Sequence, residues 1–297
     1  MTGQTEHGRD RLVVLETDLS LPSVTQYYDC GDFPFNFGLA RGLDSGTGAS
    51  GAAALLRAWL EADRRPYNWV LGSHDISRVA SRTGPGDKVD HWNLLLLSLP
   101  GVVITYQGEE LGMTDTELSW EETRDPAGLA CGPTRYQECS RDPQRTPMQW
   151  SGQRNAGFSS AASTWLPLNP NYPWLNVETQ LGAPDPSNTH LGVYRAAAEF
   201  RAELAGPRLE CLQEVDQVLL LASCEHALLL ELGGVGVGVE LSLLLAACPT
   251  TAACLPSAAT VRARSVNGSD ELSQGSRLDP AMVSLGPWEA ILLQLHH

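Results

Sequence analysis

Apolar and polar positions fall into blocks along the first hundred residues. "RLVVLE", residues 11–16, is a short apolar run that predicts a buried strand. "GAAALLRAWLEADRR", 51–65, has apolar residues at helical spacing and no proline, which predicts a helix. "NWVLG", 68–72, predicts a second buried strand. "DKVDHWNLLLLSL", 87–99, predicts a second helix, stopped by Pro100-Gly101. "VVITYQG", 102–108, predicts a third strand. Strand, helix, strand, helix, strand, with fully apolar strands, points to a parallel sheet covered by helices.

From about 109 to 189 the pattern changes. The segment is rich in Pro, Asn, Trp and Arg and has little periodicity. It is too long for a plain connection and predicts an elaborated functional loop with short helices. "HLGVYRAAAEFRAEL", 190–204, is helical again. After Gly206-Pro207 come short apolar runs: "QVLLLAS", "ALLLEL", "VELSLLL", "ATVRARSV", "MVSLG" and "EAILLQL". These predict strands of a small antiparallel domain, with the boundary near 206. Residues 228–248, "LLLELGGVGVGVELSLLLAAC", have the length of a membrane span. Glu231, Glu240 and the glycine run favour two buried strands around a turn instead.

Composition narrows the partners. The chain has 297 residues, 42% of them hydrophobic, as expected of a globular protein. Acidic residues outnumber basic ones 35 to 20, a net charge of -15 that argues against nucleic-acid binding. Seven cysteines include no C-x-x-C pair, so no metal site and no cofactor is called for. Cys131 with Cys139, and Cys248 with Cys254, are spaced for short-loop disulfides. The odd number leaves a thiol that is free or pairs elsewhere. Asn267-Gly268-Ser269 is an acceptor sequon for N-glycosylation. These features lean toward an extracellular protein, yet "MTGQTEHGRDR" is not a signal peptide.

In parallel α/β barrels and sheets, active sites form at the C-terminal ends of the strands. Here those ends carry Glu16, His74-Asp75 and Glu109-Glu110. Carboxylates facing one cleft can divide acid, nucleophile and stabiliser roles, as glycoside chemistry requires.

Longer blocks are more specific. "FPFNFGLA" (33–40), "NWVLGSHDISRVASR" (68–82), "PGVVITYQGEELGM" (100–113), "RDPQRTPMQW" (141–150), "NAGFS" (155–159) and "WLPLNPNY" (165–172) resemble glycoside hydrolase family 13. The similarity is greatest to the maltase-like α-glucosidases of arthropods and runs from about residue 11 onward. It implies an α/β fold: the C-terminal half of a (β/α)8 TIM barrel, residues 1–205, then a small antiparallel β-sandwich, residues 206–297. On that map Glu16 ends the fifth strand as general acid/base. His74 and Asp75 end the seventh, binding glucosyl hydroxyls and stabilising the transition state. Arg78 lies near the bound sugar. Glu109 and Glu110 brace the loop after the eighth strand. Arg141 and Arg145 belong to the long active-site loop, Arg141 as a substrate contact and Arg145 as a brace.

The chain departs from the family pattern. Ser73 replaces the usual Asn before His-Asp, and Thr17-Asp18 follows the acid. No D-x-x-R-x-D block, which carries the family's nucleophilic aspartate, lies upstream of Glu16. The expectation is the C-terminal portion of a longer secreted or cell-surface α-glucosidase, inactive alone, acting on maltose, sucrose or related oligosaccharides. Membrane attachment would come only through segments outside this chain. The alternative is a non-catalytic heavy-chain subunit of an amino-acid transporter, whose chains resemble the same family.

Overall fold

The computed structural model describes residues 11–62, 66–84, 88–204, 206–248, 250–252, 254–266, 268 and 272–297. The predicted ends of the two helices at 63–65 and 87 lie outside them, as do Asn267 and Ser269 of the sequon.

The first part of the chain builds an arc of parallel strands. β1 (Val14–Leu15) is followed by the short helix α1 (Leu21–Val24). β2 (Phe33–Pro34) pairs parallel to β1 and leads into α2 (Gly38–Gly42) and α3 (Ala49–Glu61). β3 (Asn68–Val70) precedes α4 (Val79–Arg82) and α5 (Val89–Ser98). β4 (Val102–Ile104) pairs parallel to β3. Side-chain amides join the two pairs: Asn68 accepts from Asn36 N at 2.7 Å and donates to Pro34 O at 2.8 Å. A buried Asn thus substitutes for ladder bonds between β2 and β3 and satisfies backbone groups that water cannot reach. Periodicity does not reveal β2, because two residues of which one is proline carry no alternation.

The turn from α5 to β4 depends on Gly101. Its φ is +94°, and a Cβ there would sit 2.3 Å from Tyr67 O. That backbone approach lets β4 run directly beside β3.

The long segment after β4 contains α6 (Pro126–Cys131), α7 (Tyr136–Cys139) and α8 (Val177–Leu181), and then α9 (His190–Glu203). α9 starts where Thr189 accepts the Gly192 N–H, a side-chain cap on an orphan donor.

β5 (Cys211–Val215), β6 (Val218–Ala222) and β7 (His226–Glu231) form a meander. β8 (Val237–Val239) is short, and α10 (Leu241–Ala246) follows it at once. The run "VELSLLL", expected as a strand, is therefore mostly helix. Short apolar runs do not separate a strand from a buried helical turn. β9 (Ala258–Arg264), β10 (Arg277–Leu278), β11 (Val283–Leu285) and β12 (Ala290–His296) complete the chain. The main sheet has the order β10-β9-β12-β7-β6-β5, all antiparallel, and β11 pairs with β8 as a separate ribbon.

Alternation along the sheet divides two cores. Leu219, Leu221, Leu228, Leu230 and Leu292 face Leu56, Trp59, Trp69, Trp92 and Phe200 of the parallel part. Leu220, Leu229, Val261, Ile291 and Leu293 face Val239, Leu241, Leu245 and Val283. Each such leucine contributes roughly 1.5–3 kcal/mol by leaving water.

The disulfides are Cys131–Cys139, Cys211–Cys248 and Cys224–Cys254, and Cys30 is free and exposed. Cys131–Cys139 is as expected. The expected Cys248–Cys254 bridge is replaced, because α10 brings Cys248 against β5 while Cys254 returns to the β6–β7 turn. Sheet order, not spacing along the chain, decides these partners. Among the described residues no helix is long and apolar enough to cross a membrane.

Candidate active site

β1 and β3 end at the same face of the arc. A cavity of about 520 Å³ opens there, lined by Glu16, Asp18 and Asp75, by Arg41 and Arg141, and by Phe37 and Ile76. The two carboxylates expected to share a cleft, Glu16 and Asp75, share this one. Asp18 joins them, in an ion pair with Arg41. Sequence reasoning missed Asp18 and Arg41.

Asp75 is held from several sides. Ser73 Oγ accepts its backbone N–H at 3.2 Å, so the serine that stands where the family has Asn shapes the turn. Arg145 Nη2 donates to Asp75 Oδ1 at 2.5 Å, and Arg145 Nε donates to His74 O at 2.8 Å. Arg141 Nη1 donates to the same Oδ1 at 3.0 Å. His74 Nε2 lies 3.5 Å from Asp75 Oδ2, so its ring stands beside the carboxylate rather than on the cavity wall. Partial burial opposes ionisation of Asp75. The Arg145 hydrogen bond and the field of His74, Arg141 and Arg145 outweigh it, leaving the carboxyl below its usual range.

Arg141 is fixed from behind by Asp125, the N-cap of α6. Asp125 accepts from Arg141 N at 2.8 Å, Nε at 2.9 Å and Nη2 at 2.8 Å. These charge-assisted bonds hold the Asp125 carboxyl far below the usual carboxylate range and push the arginine up. The Cys131–Cys139 bridge closes the α6–α7 hairpin whose two ends carry this pair. Nothing in the sequence pattern marked Asp125.

Arg78, expected near the sugar, lies elsewhere. It is 2% exposed, donates from Nη1 to Gln107 O at 2.7 Å, and stacks over the Tyr106 ring at 5.2 Å. It supports the wall from inside and does not line the cavity. Arg82 clamps the loop that carries His74 and Asp75, donating to Leu71 O at one end and Ser77 O at the other. Glu109 is buried beneath that loop, where a Cβ at Gly72 would meet its Oε1 at 2.5 Å. Burial pushes its carboxyl up to about 8, against the Tyr106 N–H and the field of Arg82. Glu110 turns back to accept the Gly108 N–H at 2.8 Å. Both glutamates act within the loop and not on the cavity. Among the described residues no cluster of His, Cys, Asp and Glu is spaced to hold a metal ion.

Parallel strands with their helices, carboxylates and arginines at the strand ends, and an antiparallel sheet behind define part of an α/β barrel with a polar cleft at its strand ends. The α-amylase catalytic domain matches residues 52–206, so the chain belongs to that family, glycoside hydrolase family 13. It is 42% identical over 203 residues to Maltase 1 of Drosophila virilis, covering 65% of this chain and 32% of that protein. It is 39% identical over 200 residues to the salivary alpha-glucosidase of Aedes aegypti, covering 65% and 34%. The chain thus spans about a third of the length of these curated relatives. A trehalulose synthase of solved structure superposes with a TM-score of 0.69 at 20% identity, covering 96% of this chain and 55% of that one. The fold is therefore the later half of the TIM barrel followed by the family's C-terminal sheet domain.

Proposed function

We propose that the chain is the C-terminal portion of a retaining α-glucosidase. The observation that carries this reading is the cavity shared by Glu16 and Asp75 at the ends of two barrel strands, in a family of glycosidases. Residues up to about 205 are assigned to the catalytic barrel and 206–297 to the β-sandwich. The substrate is an oligosaccharide with a terminal α-linked glucose, and the intact protein is secreted, in line with the salivary relative.

Glu16 acts as general acid on the glycosidic oxygen and then as base on water. Asp75, ionised and immobilised by two arginines, stabilises the positive charge that develops on the sugar ring. Its pinned geometry keeps it on the ring hydroxyls. Arg141 on the cavity wall contacts the same hydroxyls, His74 flanks the Asp75 carboxylate, and Arg78 supports the wall from inside. A retaining mechanism needs a second carboxylate about 5 Å from the acid, poised on the anomeric carbon. Asp18 is engaged by Arg41, so residues 1–297 alone are not expected to turn over glucosides. Retention of the acid and the stabiliser favours an enzyme over a transporter subunit.

The test is Glu16→Gln in the full-length protein. Turnover of maltose should fall by about 10²–10⁴, the usual weight of a general acid. An aryl glucoside whose leaving group needs no proton should suffer less in its first step. Equal loss on both substrates would remove Glu16 from the acid role.

A further inference from the structure

One buried acid takes no part in the cavity and yet lies directly beneath the loop that serves it. Glu109 is 2% exposed within this chain alone, so no segment outside the chain is needed to bury its carboxyl. Its Oε2 accepts the Tyr106 N–H at 3.1 Å, and Asn93 Nδ2 on α5 donates to its backbone oxygen at 3.0 Å. Its Oε1 has no partner among the described residues. That oxygen lies against Gly72, where a Cβ would come within 2.5 Å of it. Gly72 opens the loop after β3 that carries His74 and Asp75. Arg82 holds both ends of this loop, donating from Nη2 to Leu71 O and from Nη1 to Ser77 O, and anchors it to the end of α2 by a bond from Nε to Leu43 O at 3.2 Å. Every hydrogen bond of Arg82 thus goes to a carbonyl.

A neutral carboxyl under Gly72 leaves that clamp undisturbed. A carboxylate there would have one oxygen unpartnered in a buried place, which is costly. The cost is relieved when Arg82 turns from its carbonyls to the acid, or when water enters beneath Gly72, and either change unseats the loop. We propose that Glu109 is a positioning residue for Asp75: its uncharged carboxyl, packed against Gly72, keeps the loop 71–77 seated so that Asp75 meets the sugar. What Asp75 does there rests on the glucosidase reading; the seating of the loop does not. The groups that face the acid keep it uncharged at neutral pH. Burial is the largest influence and pushes it up to about 8; Glu110 acts in the same direction, and the Tyr106 N–H, Arg82 and Arg78 oppose without prevailing. Tyr106 and, from α9, Tyr194 are themselves raised by burial and stay neutral in that range. Asp115 acts on the two arginines.

The experiment compares the full-length protein with Glu109→Gln, which keeps an uncharged acceptor for the Tyr106 N–H. The variant should keep most of its kcat for maltose at pH 6. Above about pH 8, wild-type kcat should fall by about tenfold per pH unit more than that of the variant, with KM little changed. Glu109→Ala should lose about 10–10²-fold at pH 6, the effect of a displaced catalytic group. Thermal unfolding at each pH keeps the assays within the folded range, where a merely structural role would leave the shape of the profile alone. Hydrogen exchange of residues 70–78, corrected for intrinsic rate, reads the loop without catalysis. Its protection should drop between pH 7 and 9 in wild type and hold in Glu109→Gln. The same alkaline profile in both proteins, as Glu16 alone would give, or loop protection indifferent to pH, would overturn the proposal. Failure of the glucosidase reading shows separately, as turnover indifferent to Glu16 and Asp75 with the exchange difference intact.

Discussion

Asp125→Asn tests the support of the site in isolation from its chemistry. Asp125 is wholly buried as a side chain and takes three hydrogen bonds from Arg141. An amide keeps one acceptor oxygen and turns an N–H₂ toward at least one of those donors. Arg141 is 38% exposed, so breaking the pair costs less than the about 3–5 kcal/mol of a fully buried one, about 2–3 kcal/mol. At about 2–4 °C per kcal/mol for a protein of this size, thermal unfolding should fall by roughly 4–12 °C at pH 7. The sign with pH follows from the depressed carboxyl. Its folded value lies below the unfolded one of ~3.9, so its stabilisation is complete above that pH and is lost as pH falls toward the folded value. The gap between wild type and variant should therefore be constant from neutral pH to about 5 and narrow below about 4. Scanning calorimetry at several pH values measures both quantities. A loss under about 1 kcal/mol, the usual weight of an exposed pair, would refute the argument, as would a gap that does not narrow in acid.

Three further outcomes are expected. Glu109, pushed up to about 8, binds a proton in the fold that it releases when unfolded, so stability should decline as pH rises from about 4.5 to about 8 and level off above; Glu109→Gln should flatten that decline in denaturant titrations at pH 5, 7 and 9. Replacing Cys224 and Cys254 together by Ser removes a cross-link across 30 residues and should cost about 3–4 kcal/mol, read from the urea midpoint against Cys30→Ser, which should cost nothing measurable. Purified residues 1–297 should release no product from a chromogenic α-glucoside above the uncatalysed rate, and measurable turnover would show that this chain supplies its own nucleophile.

The candidate site was legible where ionisable residues stand at the end of an apolar strand. "NWVLG" followed by His74-Asp75 is such a place: the strand forms and Asp75 lines the cavity, while the His74 ring stands beside that carboxylate. Glu16 was legible for the same reason. What escaped was whatever depends on contacts between distant segments. β2 was hidden because its two residues, one of them proline, carry no alternation, and it meets β3 through the Asn68 side chain. Arg78 reads as a site residue by position alone, and only packing turns it toward Tyr106 and Gln107. Asp125 and Asp18 are ordinary loop acids until an arginine from elsewhere meets them. The disulfide partners of Cys211 and Cys248 follow from sheet order, and α10 from packing against the ribbon of β8 and β11.

The central claim is that Asp75, pinned by Arg141 and Arg145, stabilises charge in the transition state. Its most direct test is kcat/KM of the full-length protein for maltose, with and without Asp75→Asn, beside thermal unfolding of both. The account predicts a fall of about 10²–10³ or more, carried by kcat, with little change in unfolding temperature. A variant that keeps most of its turnover would contradict it.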